Sequence, residues 1–66
     1  MIPAYVLTWR SLQMRSPAFW YFSTRNLAEQ AAKKLQSTTQ WHVTAALVPE
    51  AQQGCIDKGI DPRATP

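Results

Sequence analysis

A chain of 66 residues with a formal net charge of +3 holds one small domain, and chains of this size bury only about 60% of the surface their unfolded form exposes. One cysteine cannot close an internal disulfide, and one histidine with one cysteine cannot build a tetrahedral metal site, so neither a disulfide nor a metal is expected to supply the missing stability. The longest uninterrupted apolar stretch is far shorter than the ~20 residues needed to cross a bilayer, and Met1-Ile-Pro3 does not open a targeting segment; a cytoplasmic protein without a membrane partner is expected, in keeping with the unpaired thiol of Cys55.

Residues 4–10, Ala-Tyr-Val-Leu-Thr-Trp-Arg, are dense in β-branched and aromatic side chains and read as a first strand. Residues 11–17 form a loop, and Pro17 stands where a strand can begin. Ala18-Phe-Trp-Tyr-Phe22 reads as the second strand.

A helix starts near residues 23–26, where Asn26 followed by Glu29 has the spacing of a capping box. Leu27, Ala31 and Leu35 recur at helical spacing, with Ala28 and Ala32 beside them, and form an apolar stripe. Lys33 and Lys34 fall in its last turns, where cations complement the helix dipole.

Polar residues 37–40 end the helix, and Trp41 to Val48 alternates as a third strand that Pro49 stops. The expected fold is α+β: a small ββαβ domain over residues 1–48, with a three-stranded sheet and one helix packed on one face. Residues 49–66 are polar, with Gly54, Gly59, Pro62 and Pro66, and read as a flexible C-terminal tail with at most one short turn.

Successive strand side chains point to opposite faces. Tyr5, Leu7 and Trp9, Ala18, Trp20 and Phe22, and Trp41, Val43, Ala45 and Leu47 are the expected core set facing the helix, although both faces of the first strand are largely apolar and its inward face is left open. Val6, Thr8 and Arg10, Phe19 and Tyr21, and His42, Thr44 and Ala46 fall on the other face, which has no second helix to cover it.

Charge divides unevenly along the chain. Residues 1–48 carry Arg10, Arg15, Arg25, Lys33 and Lys34 against Glu29 alone, whereas residues 49–66 carry Lys58 and Arg63 against Glu50, Asp57 and Asp61. The presumed folded part is the basic part, which favours an anionic partner. Aromatic side chains on an open sheet stack nucleobases while neighbouring arginines hold phosphates. The candidate binding residues are Arg10, Arg15, Phe19, Tyr21, Arg25 and His42, and their partner is nucleic acid or, for an accessory or inhibitory protein, a larger protein held by the same face or by an edge strand. A homodimer is compatible with both, since a three-stranded sheet leaves two edges and an uncovered face.

No catalytic residue is assigned and no cofactor is expected. His42 has no acid or nucleophile at triad-like spacing, and no glycine-rich phosphate loop precedes a Lys-Ser or Lys-Thr pair.

Arg15 to Phe22 and the residues that follow resemble the third strand and second helix of an RNA-recognition motif. Arg15, Ala18, Phe19 and Phe22 fit its strand consensus, while Ser16 replaces a glycine, Pro17 an aromatic and Trp20 a valine. The resemblance covers a strand-to-helix segment and implies that Phe19 stacks on a base.

Overall fold

The computed structural model describes residues 1–61. Chain order is β1 (Ile2–Arg10), β2 (Ala18–Phe22), α1 (Arg25–Lys33), β3 (Gln40–Val48) and a 3-10 helix at Glu50–Cys55. The three strands form one antiparallel sheet in the order β2-β1-β3, with α1 on one face, as expected for a small α+β fold. No helix among the described residues is long and apolar enough to cross a membrane.

The first strand begins two residues earlier than its composition suggests and takes in Pro3. Asp57 donates to the carbonyl of Tyr21 from outside β2, so by the alternation of antiparallel ladders the neighbouring Trp20 and Phe22 direct their backbone groups toward β1. Odd-numbered residues of β1 therefore face β2. Pro3 lies beyond the last β1–β2 pair, Tyr5 with Phe22, and its missing N–H costs no ladder bond.

The core follows the predicted parity at its centre. Leu7, Phe22, Ala28 and Ala32 are buried together, with Tyr5, Trp9, Trp20, Ala31 and Val43 packed around them. Trp9 and Trp20 meet edge to face, their ring centroids 5.5 Å apart. The middle of the helix contact belongs to Ala28 and Ala32 rather than to Leu27, which is 41% exposed. Two alanines let the helix lie close enough for Leu7 and Phe22 to fill the interface.

Trp41, Ala45 and Leu47, expected in this core, are exposed. Nine helical residues reach about 13 Å at 1.5 Å per residue, whereas the nine of β3 reach about 30 Å at 3.3 Å per residue. The helix ends before the ends of the edge strand do.

The helix cap also lies elsewhere than expected. Thr24, in extended conformation, accepts the N–H of Leu27 at 3.2 Å and is the N-cap. Asn26 is thereby inside the first turn, and Glu29 pairs with Arg25 at 3.9 Å instead of closing a capping box.

The face away from the helix differs from the open surface that the strand parity suggests. Ala4, Val6 and Val48 lie on it and are buried, Val48 completely. The chain leaves β3 at Pro49, forms the 3-10 helix, and crosses this end of the sheet to reach the outer edge of β2. There the N–H of Asp57 donates to the Tyr21 carbonyl at 2.9 Å, Asp57 Oδ1 accepts from the N–H of Ser23 at 3.0 Å, and Asp61 Oδ2 accepts from the N–H of Phe19 at 3.5 Å. Residues 57–61 thus run along β2 as a strap antiparallel to it. Asp57 and Gly59 turn this strap with φ of 61° and 69°, a region open to glycine and tolerated by aspartate. Of the segment read as a polar tail, residues 62–66 lie outside the described part.

Candidate functional site

Strand register sets one row of side chains across the half of the second face that no described helix covers. Thr8 on the central strand pairs with Phe19 on β2 and with His42 on β3, so the three share a face and a level. At about 4.8 Å per strand, Phe19 and His42 stand roughly 10 Å apart across the small Thr8 side chain. His42 is exposed, and Phe19 and Thr8 are half-buried. The row has an aromatic ring at one end and an imidazole at the other.

Arg10 lies one position further along the same face, beside Gln40, and donates from Nε to the carbonyl of Met14 at 3.2 Å. This bond fastens the β1–β2 loop to the end of its strand while the guanidinium stays exposed. Arg15 is exposed in that loop. Tyr21 occupies the next row, with Val6 and Thr44, toward the end crossed by the C-terminal segment.

Arg25 belongs to a different surface. Its guanidinium carbon sits 5.7 Å from the centroid of Tyr5, on the helix side of the sheet, and it also faces Glu29. The structure therefore brings Arg10, Arg15, Phe19 and His42 to one end, leaves Tyr21 at the margin, and places Arg25 apart.

Topology gathers more positive charge at this end than the row alone supplies. The helix runs back from the far end of β2, so Lys33 and Lys34 finish beside the start of β3, on the helix side of the end that carries Arg10, Arg15 and His42. Among the described acids, Glu29 sits in the middle of the helix against Arg25, Glu50 and Asp57 lie toward the opposite end, and Asp61 approaches this one, with an oxygen on the Phe19 N–H. Thr8 and the two lysines lie outside the six candidate binding residues, the lysines having counted only toward the overall basic charge. Thr8 is recognisable only from the pairing of all three strands.

A groove of about 560 Å³ lies on the other side of β2, with Trp20, Phe22 and Leu35 among its walls and Lys34 and Lys58 at its rim. It exists because residues 57–59 fold back over the strand edge. Comparison of the chain with family models, with curated proteins and with solved structures finds no match.

Proposed function

We propose that this chain is a small non-enzymatic nucleic-acid-binding module that receives single-stranded nucleic acid at the loop end of its sheet. The observation that carries the reading is the cross-strand row Phe19–Thr8–His42 with Arg10 and Arg15 at its open end. Phe19 and His42 flank Thr8, whose small side chain leaves room between them for a base, and the arginines meet phosphates. A single strand suits the site better than a duplex, because stacking needs bases that are free to leave their neighbours.

The test is fluorescence anisotropy of a labelled mixed-sequence 12-mer of single-stranded DNA, titrated with the protein at 50 and 200 mM salt. Two to three phosphate contacts on a single strand correspond to a loss of about ten-fold in affinity over that range. Binding that ignores salt, or none at all at millimolar protein, contradicts the proposal. An interaction with protein draws on a different feature, the outer edge of β3.

A further inference from the structure

The two edges of the sheet are treated differently. The edge of β2 is closed by the strap, which answers the outward backbone groups of Phe19, Tyr21 and Ser23 with Asp61 and Asp57. The edge of β3 has no such cover among the described residues. It runs nine residues in unbroken register with β1 and carries neither proline, lysine, arginine nor carboxylate. Short edges, bulges, charges and prolines are the usual devices that keep such strands from pairing, and β3 uses none of them.

Ladder alternation identifies the groups on offer. Even-numbered residues of β1 face β3, so their partners Gln40, His42, Thr44, Ala46 and Val48 are bonded inward. Trp41, Val43, Ala45 and Leu47 direct their N–H and C=O groups outward, and their side chains lie on the helix face. Two of those side chains are large and uncovered, Trp41 at 44% and Leu47 at 59% exposure.

We infer that β3 pairs antiparallel with β3 of a second copy of this chain, about a two-fold axis at Thr44. In that register Trp41 of each copy lies opposite the other copy's Leu47, and Val43 opposite Ala45, so the strand is complementary to itself in backbone and in side chains. Such a pair is isologous. Pairing stops at two copies because the remaining edges are strapped. The product is a six-stranded sheet with both helices on one face and two copies of the Phe19–Thr8–His42 row on the other. The inference concerns a different surface from the nucleic-acid site and stands without it.

The register is tested by disulfide trapping in a Cys55→Ser background, which removes the native thiol. Two Thr44 residues facing each other form a non-hydrogen-bonded pair with Cα atoms about 4.5 Å apart, within the span of a disulfide. Thr44→Cys is expected to oxidise to a covalent dimer, and Gln40→Cys, which is far from its copy in this register, to remain largely monomeric. Sedimentation of the unmodified chain is expected to show twice the 7.5 kDa monomer mass at high concentration, falling on dilution. Ala45→Pro removes an outward N–H that the isolated chain does not use, so it is expected to give a folded monomer by circular dichroism. Leu47→Lys provides a second monomeric variant at an exposed position. A chain that stays at 7.5 kDa at millimolar concentration, or a dimer that survives both substitutions, overturns the inference.

Discussion

The N–H of Ser23 donates to Asp57 Oδ1 at 3.0 Å, across 34 residues of chain. Together with the Asp57 N–H on the Tyr21 carbonyl, it holds the C-terminal segment against the sheet. Asp57→Ala removes the acceptor and sets a Cβ-bearing residue without a local hydrogen bond at φ 61°, and the two effects together are expected to cost about 1–3 kcal/mol. Asp57→Asn keeps an acceptor and tolerates that backbone, so its cost is expected to stay below about 1 kcal/mol. Urea denaturation of the two variants checks this. Equal losses would show that charge, rather than the acceptor and the turn, holds the strap.

The strap leaves no mark in the local sequence pattern. The parity assigned to β2 and β3 puts Phe22 and Val43 beneath the helix, where they lie, whereas both faces of β1 are largely apolar and its sequence leaves open whether Leu7 or Val6 turns inward. Burial of Ala4, Val6 and Val48 on the other face was not legible, since it depends on the chain crossing the sheet and on carboxylates meeting backbone groups 34 and 42 residues away. No local periodicity records such bonds. The exposure of Trp41 and Leu47 was hidden for a different reason: parity assigns a face, but the length of the helix decides how much of that face is covered. At the candidate site, Phe19 and His42 stood out as residue types, whereas Thr8 emerges only from the register between them.

Trp9 supplies a second prediction. Its Nε1–H is buried and has no hydrogen-bond partner among the described residues, a situation that costs about 1–3 kcal/mol. Trp9→Phe gives up some packing against Trp20 but removes the unpaired donor, so the net change is expected to lie within about 1 kcal/mol. Trp9→Ala is expected to lose about 3–5 kcal/mol. Chemical denaturation separates the two cases, and a Phe variant as damaged as the Ala variant would mean that the indole N–H is satisfied.

The helix cap gives a third. Thr24→Ala removes the acceptor for the Leu27 N–H and is expected to cost about 1 kcal/mol. Asn26→Ala, inside the first turn, is expected to change stability by less than about 0.5 kcal/mol. Thermal melts of both variants decide between this cap and one at Asn26, which would reverse the order.

Arg25 and Arg10 separate stability from binding. Arg25 packs on Tyr5, and Arg25→Ala is expected to lower stability by about 0.5–1 kcal/mol through the lost cation–π contact while leaving oligonucleotide affinity within about two-fold at fixed salt. Arg10→Ala is expected to weaken oligonucleotide binding several-fold and to flatten its salt dependence. Parallel melts and anisotropy titrations read both quantities, and a larger binding loss for Arg25→Ala would move the site to the helix face.

The most direct test of nucleic-acid binding at the Phe19–Thr8–His42 row is a two-dimensional amide NMR titration of the labelled chain with a short single-stranded oligonucleotide at low and moderate salt. Salt-sensitive shifts are expected to concentrate at Thr8, Arg10, Arg15, Phe19 and His42, with Arg25 and the 3-10 helix unmoved. Shifts confined to the groove between α1 and β2, or a spectrum unchanged by the oligonucleotide, would contradict binding at this row.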